Sequence, residues 1–443
     1  MEGFVREASK PPLRGALLVL FSRQGEKSTY AYLPNKPKFE IHQHKEDAMR
    51  RHNFDPQSPV VLVPCESYDE ITVKAALEAV LAPIGGLDWV TPGMTVGIKA
   101  NLVSAMKPEE CATTHPSLLC ALTAMLRARG ARVIIGDSPG GVYTAAFVGQ
   151  VYRAAGLSAC EAVGAELNRD LGTVEASFPE ARVLRSFTYT SWLDGCDAII
   201  DFCKLKSHGM MGMSAAAKNL FGVIPGTMKP EYHFRFPNMA DFSHMLVDIN
   251  DYFAEKVKLS LVDAVEGMEG NGPTQGSPRH IGLLLASPSP HTVDAVCCRL
   301  IGLTEDAVPT LLAARERGLL PEAVDLITVE HSDGRKTAED FAVKDFQHVA
   351  VRHGHLFASK GKLVSKVLGV LLTSRPQLKK SECIGCRKCA EICPAKAITM
   401  KDRKAVIDRE ACIRCFCCQE FCPTGAMKVH RTWIARVFMG SKK

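Results

Sequence analysis

The stretch that decides the fold is "CDAIIDFCKLKSHGMMGMSAAAKNLFG", Cys196–Gly222. It opens on "DAIIDF", a short apolar run with no polar alternation. Such a run reads as a strand buried on both faces, as in a parallel sheet. The polar residues that follow (Lys204, Lys206, Ser207, His208, Lys218 and Asn219) read as the segment leaving the strand's carboxyl end. Three other stretches have the same order. "MTVGI" runs into Lys99, Asn101 and "LVSA"; "RVIIG" runs into Asp137 and "SPGG"; "LSLV" runs into Asp263 and "AVEGMEGNG". Helical patterns lie between them: "DEITVKAALEAVLAPI", "PSLLCALTAMLRARG" and "ADFSHMLVDINDYFAEKV". Pro116, after Thr114 and His115, suits a first helical turn. Gly130 suits the residue just past that helix. Strands alternating with helices predict an α/β domain built on a mainly parallel wound sheet. Ligands of such sheets bind beyond the carboxyl ends of the strands.

Chemistry-bearing side chains gather at those ends. Lys99, Lys206 and Lys218 each flank apolar segments, and a buried lysine is costly without a partner. A shared anionic ligand would satisfy them together; so would local carboxylates such as Asp137, Asp201 and Asp263. His208, Asp137 and Lys206 are the candidates to position a ligand or move protons. "GDSPGG", Gly136–Gly141, either presents the amides around Gly140 and Gly141 to an anion or is a strand-to-helix turn. It is neither a Walker A nor a G-x-G-x-x-G sequence. His115 and His233 are open to acid–base, metal-binding or structural roles. Met210, Met211 and Met213 read as packing.

The chain's end carries the most specific signal. "CIGCRKCAEICP" contains Cys383, Cys386, Cys389 and Cys393; "CIRCFCCQEFCP" contains Cys412, Cys415, Cys418 and Cys422. Both obey C-x2-C-x2-C-x3-C-P, the run that holds [4Fe–4S] clusters in bacterial ferredoxins. In a two-cluster domain the fourth cysteine of each run ligates the other cluster. One set is therefore Cys383, Cys386, Cys389 and Cys422; the other is Cys412, Cys415, Cys418 and Cys393. Zinc is the structural alternative, but zinc sites use pairs of cysteines rather than duplicated fours. Cys417 falls outside the pattern. Of the seventeen cysteines, the eight outside this region are scattered in apolar segments and read as reduced core residues of a cytoplasmic protein.

Charge is uneven. Residues 375–443 hold sixteen Lys and Arg against six Asp and Glu, or +10; the whole chain is +6, which leaves −4 for the first 374 residues. Two cubanes with their thiolates contribute about −2 each. The surplus positive charge suits an acidic electron donor or acceptor protein better than nucleic acid. No apolar run spans a bilayer, and "MEGFVREASKPPLRG" lacks the pattern of a signal peptide.

"VGIKANLVSAMKPEECATTHPSLLCAL", "GARVIIGDSPGG", "CDAIIDFCKLKSHGMMGMSAAAKNLFGVIPGTMKPEYH" and "LVDAVEGMEGNGP" closely resemble the domain-of-unknown-function 362 family, across roughly residues 60–302. Residues 381–430 resemble the two-cluster ferredoxins. The combination implies iron–sulfur redox proteins, largely of anaerobic metabolism, with no established substrate. The positions it carries over as candidate binding residues are Lys99, Asn101, His115, Asp137, Lys206, His208, Lys218, Asn219, His233, Asp263 and Glu266.

The expected layout is an extension over 1–58, the α/β domain over 59–355, a basic amphipathic linker over 356–380, a small α+β two-cluster domain over 381–430 and a basic tail over 431–443. The leading functional reading is an oxidoreductase that relays single electrons to an anionic small molecule in the crevice. A non-catalytic docking subunit of a larger redox complex, and a protein that delivers a cofactor or metal, are the rivals. Elemental analysis of anaerobically isolated protein is expected to return about eight iron atoms per chain. Stoichiometric zinc would contradict the cluster reading.

Overall fold

The computed structural model describes residues 54–328, 337–349 and 374–430. The extension up to residue 53, most of the expected linker and the basic tail lie outside them. The chain divides into two compact units, Met1–Arg51 and His52–Lys443. The second unit holds both the α/β domain and the cysteine-rich domain.

The strands of the large sheet are β1 (Val60–Pro64), β2 (Thr95–Ala100), β3 (Arg132–Gly136) and β4 (Ala165–Leu167). A separate hairpin, β5 (Thr173–Ser177) and β6 (Ser186–Thr190), follows. The sheet resumes with β7 (Ala198–His208), β8 (Gly212–Ser214), β9 (Val257–Asn271), β10 (Gln275–Ser287) and β11 (Leu326–Thr328). Their order is β11-β1-β10-β9-β7-β2-β3-β4, with β8 folded back on β7. The run from β9 through β7, β2 and β3 to β4 is parallel, as is β1 with β11. Only β10, against β1 and β9, and β8, against β7, are antiparallel.

β7 is buried at all eleven positions. Strand side chains alternate between faces, and its apolar residues divide accordingly. Ile200 and Phe202 join the core that includes Leu118, Leu119 and Leu122 of the helix Pro116–Ala128. Ile199 joins an aromatic cluster with Phe221, Tyr232 and Phe242, while Cys203 and Leu205 enter a third cluster with Val293 and Val296. The helix Pro116–Ala128 starts as expected: His115 caps it, its Nδ1 accepting from Ser117 N at 3.3 Å. Gly130 takes φ 81° at its end.

One expectation is corrected. Lys204–His208 does not form a loop beyond a strand ending at Phe202. The strand continues to His208 because β8 supplies a fresh hydrogen-bonding edge, with Lys206 opposite Ser214 and His208 opposite Gly212. "AVEGMEGN" is likewise part of β9, which pairs with β10 along most of its length. Register with β7 slips between Lys204 and Lys206. At that slip β9 takes up extra residues as a bulge, and pairing resumes with Lys206 opposite Met268.

The cysteine-rich domain is a duplicated unit. β12 (Arg375–Leu378) pairs with β15 (Met427–His430), and β13 (Ile398–Lys401) with β14 (Lys404–Ile407), both antiparallel. One-turn helices Lys388–Glu391 and Cys417–Glu420 occupy equivalent places in the two repeats. Their preceding residues, Arg387 and Phe416, share a left-handed backbone at φ 66° and 62°.

This domain is seated on the upper rim of the large sheet. Phe416 is 4% exposed and belongs to the aromatic cluster of Phe221, Tyr232 and Phe242. Gln419 Nε2 donates to Asn271 O at 2.9 Å, and Thr274 Oγ1 donates to Glu420 O at 3.0 Å. A Cβ on Gly140 would meet the tip of the Phe421 ring at 2.6 Å, so a side chain there would displace that ring. Emptying the Phe416 site leaves a cavity between them. Phe416→Ala is expected to cost about 3 kcal/mol, measured by urea unfolding under anaerobic conditions. An unchanged midpoint would contradict this packing role.

Candidate functional site

Each buried cation at the rim has its own solution. Lys99 Nζ sits 2.7 Å from Asp137 Oδ1, both within the core. Asp137 also accepts from Leu102 N at 2.7 Å and Ser138 N at 2.8 Å, so its charge is fully engaged. Lys204 Nζ lies 2.9 Å from Asp263 Oδ2 with neither side chain exposed. Tyr68 OH takes a hydrogen bond from Lys204 and gives one to Asp263 Oδ1 at 2.8 Å. The His115 ring stacks on Tyr68 at 3.5 Å, and its backbone N–H reaches Asp263 Oδ2 at 3.0 Å. Burial pushes His115 down to about 4, so its ring is neutral. Glu266, a neighbour in sequence, turns away and pairs with His280 at 2.7 Å.

Lys206 is different. Its Nζ donates to Asn101 Oδ1 at 2.5 Å and Ala112 O at 2.6 Å, with no carboxylate paired to it among the described residues. Burial first, then the charges of Lys218 and Lys204, bring it down to about 7. Asn219 binds Asp201 Oδ1 at 2.7 Å and Lys99 O at 3.2 Å. Asp201 Oδ2 has no hydrogen-bond partner among the described residues, and desolvation raises this carboxyl to about 8. Burial thus favours its neutral, protonated form. Lys229, absent from the sequence reading, donates to Ser138 O beside Asp137.

His208 ends the row. Its Nδ1 accepts from Met210 N at 3.0 Å and Met211 N at 3.2 Å, which leaves the proton on Nε2. Nε2 lies 3.2 Å from Glu420 Oε1, off the straight N–H···O line. Burial holds His208 down to about 4. Burial would raise Glu420, but His208 and the charges of Lys218 and His233 outweigh it, leaving the carboxyl at about 2. Lys218 is half-buried, 5.9 Å over the Phe221 ring; burial lowers its proton affinity and the charge of Glu420 is the main influence that raises it. His233 stacks on Phe242 at 4.5 Å, and its buried Nδ1 has no hydrogen-bond partner among the described residues. His208, Lys218 and His233 thus surround one carboxylate that comes from the other domain, and Lys206 lies next along the strand, beside His208.

Lys99, Asp137 and Asn219 form an adjoining network, while Asn101 belongs with Lys206. His115 and Asp263 belong to the Lys204 network, and Gly140 and Gly141 lie beneath Phe421. Sequence reading missed Glu420 because the repeats hide it. Glu391 is its counterpart in the first run, "CAEIC" against "CQEFC". An acid present in both repeats looks like part of the repeat, yet Glu391 is exposed.

The cysteines fit the clusters. Cys383, Cys386, Cys389 and Cys422 line one cavity. Cys412 and Cys418 both feel Cys415 and Cys393, the crossed arrangement expected from the spacing. Burial, then Cys422, Cys386 and Cys383, push the Cys389 thiol up to about 11. Crowded, desolvated thiols of this kind become thiolates when metal balances their charge. Cys417, 2% exposed, belongs to neither set. Among the described residues no group of three or more His, Cys, Asp or Glu converges as a site for a single metal ion, and no helix is long and apolar enough to cross a membrane.

Residues 96–299 match the family model described as Domain of unknown function (DUF362), and residues 382–426 match the 4Fe-4S dicluster domain. A thylakoid-associated protein of Synechocystis sp. is 32% identical over 274 residues, 60% of this chain and 82% of that protein. Lactate racemase apoprotein from Thermoanaerobacterium thermosaccharolyticum aligns with TM-score 0.35 at 12% identity, over 54% of this chain and 56% of that one. A protein from Thermotoga maritima aligns with TM-score 0.31 at 13% identity, over 57% and 59%. The chain spans little more than half the length of either solved structure. Its cysteine-rich domain is a 4Fe–4S ferredoxin-like domain of the iron–sulfur electron-transfer kind.

Lys206 yields a pH test. Its proton is held more weakly in the folded chain, at about 7, than at the ordinary 10.5. Between those values the unfolded chain binds more protons, so folding stability gains as pH rises through that window. Lys206→Met is expected to flatten that rise, measured by urea unfolding from about pH 6 to 10. Parallel pH profiles for the two proteins would contradict the depressed value.

Proposed function

We propose, for a chain that belongs to the family described as Domain of unknown function (DUF362), an iron–sulfur oxidoreductase that passes single electrons to an anionic substrate or cofactor at the rim of the α/β sheet. The observation that carries this reading is the position of Glu420. It lies between Cys418 and Cys422, one from each cysteine set, and its carboxylate reaches His208 in the large domain. Two [4Fe–4S] clusters, when bound, supply electrons one at a time. The protein's own residues do the rest. Lys218, with an aromatic face but no hydrogen-bonded anion, and Lys206, held by neutral oxygens, attract negative charge to the rim. His208, neutral with its proton on Nε2 and its Nδ1 engaged by the Met210 and Met211 N–H groups, offers a hydrogen bond toward Glu420 or toward a ligand that displaces it. The Lys99–Asp137 pair fixes the turn beneath them.

A second reading rests on the same contact. Glu420 already supplies an anion to His208 and Lys218, as Asp137 and Asp263 do for Lys99 and Lys204. A rim closed by the chain itself suits a non-catalytic electron-transfer subunit docked in a larger complex. For either reading we place the protein in a reducing, cytoplasmic setting, where cluster thiolates persist.

Mass spectrometry of small molecules released from anaerobically isolated protein separates the two. The oxidoreductase reading expects a retained anionic compound. It also expects His208→Ala to lose at least about a hundredfold in turnover of that compound while both clusters remain reducible. No retained compound, together with a stable protein partner, would favour the subunit reading instead.

A further inference from the structure

The two cysteine runs are repeats, and of the five positions at which they differ one adjacent pair changes the surroundings most. Between its second and third cysteines the first run carries Arg387–Lys388, and the second carries Phe416–Cys417. The backbone is alike in both, left-handed at the first residue and entering a one-turn helix. The surroundings are opposite. Phe416 and Cys417 are 4% and 2% exposed, and Phe416 is packed among large-domain aromatics. Arg387 and Lys388 are exposed, Ile384 is 58% exposed, and Cys386 is the one exposed cysteine of the seventeen. One loop has been turned inward as packing and its twin has been left facing solvent.

That outer loop has the makings of a contact surface. Ile384 is an uncovered apolar side chain on the cavity wall shared by Cys383, Cys386, Cys389 and Cys422. Arg387 and Lys388 stand beside it. Arg403 lies against Gly385, whose φ of 75° and close approach to Arg403 O leave no room for a side chain. Lys401 is exposed close by in the sequence of the same hairpin. Asp402 and Glu391 are the opposing exposed acids, while Glu382 is engaged by Lys379 and Lys428. A small apolar centre with a charged rim is how transient protein contacts are built. A lipid surface would call for a broad apolar face.

We infer that the Ile384–Lys388 loop is the docking surface for an acidic one-electron carrier protein. This docking presupposes the electron relay proposed above. In the exchange one electron moves between the carrier and the group held by Cys383, Cys386, Cys389 and Cys422. One side is oxidised by one electron and the other reduced by one, with no proton or bond change required. Phe416–Cys417 cannot serve the same purpose, because the large domain covers it.

The test uses the iron-loaded chain and oxidised plant-type [2Fe–2S] ferredoxin as an acidic probe. Binding is measured by titration calorimetry at about 20 mM and 300 mM salt. Wild-type protein is expected to bind at low salt and weaken at high salt. Arg387→Glu with Lys388→Glu should lower affinity about tenfold or more at low salt. Lys74→Glu with Lys258→Glu makes the same change in net charge at exposed positions of the large domain, and should stay within about twofold. Equal losses in the two double variants, no loss in the first, or no salt-sensitive binding by wild type overturns the inference. So does a loop variant that keeps ferredoxin affinity but loses binding to phosphatidylglycerol vesicles, which would make this a lipid contact. His208→Ala should bind the probe like wild type. Intact docking with no crevice ligand would therefore defeat the oxidoreductase reading alone.

Discussion

Positive charge taken out of water along one strand is the constraint on which the structure depends. Lys204, Lys206 and His208 follow one another on the same face of β7, each 1% exposed or less, with Lys99 buried on the neighbouring strand. An uncompensated buried charge is far too costly for a marginally stable fold. The fold answers it residue by residue: Asp137 for Lys99, Asp263 with Tyr68 for Lys204, two neutral oxygens and a lowered proton affinity for Lys206. At the strand's end the large domain has no carboxylate within ion-pair distance of His208 among the described residues. There Glu420 of the cysteine-rich domain faces the neutral His208 ring and offsets the charge of Lys218.

This places the two domains in one electrostatic arrangement. Glu420 could have been solvated like its twin Glu391. It is largely covered, at 16% exposed, because Phe416 packs among the large domain's aromatics and Phe421 lies over Gly140 and Gly141, which carries the carboxylate inward. Apolar packing supplies the stability and the carboxylate supplies the register. A buried ion pair by itself seldom adds net stability, but it penalises any arrangement that leaves one partner alone. The same segment carries Cys418 and Cys422, so whatever fixes Glu420 also fixes one cysteine from each set relative to the rim.

Much of this was legible in the residues, and the reasons differ by element. The cysteine runs were legible because cubane ligation imposes a spacing that few other needs reproduce. The parallel core was legible because strands buried on both faces lose their polar alternation. The continuation of β7 to His208 was hidden, since polar residues after an apolar run ordinarily mark a strand's end. Only the return of β8 made burial of those residues affordable. β10 between β1 and β9 was hidden too. Its first half, "QGSPRH", is polar and carries a proline, and it becomes strand through long antiparallel pairing with β9. The pairing of Lys99 with Asp137 was one of two open solutions to a buried lysine, and periodicity cannot choose between an internal carboxylate and a ligand.

The central claim is that the cysteine-rich domain closes on the sheet's rim through Glu420 and His208. The most direct measurement is a crystal structure of the anaerobically isolated, iron-loaded chain. The account predicts Glu420 within hydrogen-bonding distance of His208 Nε2, Cys422 ligating with the first run and Cys393 with the second. Glu420 turned into solvent, with the cysteine-rich domain away from His208, would contradict it.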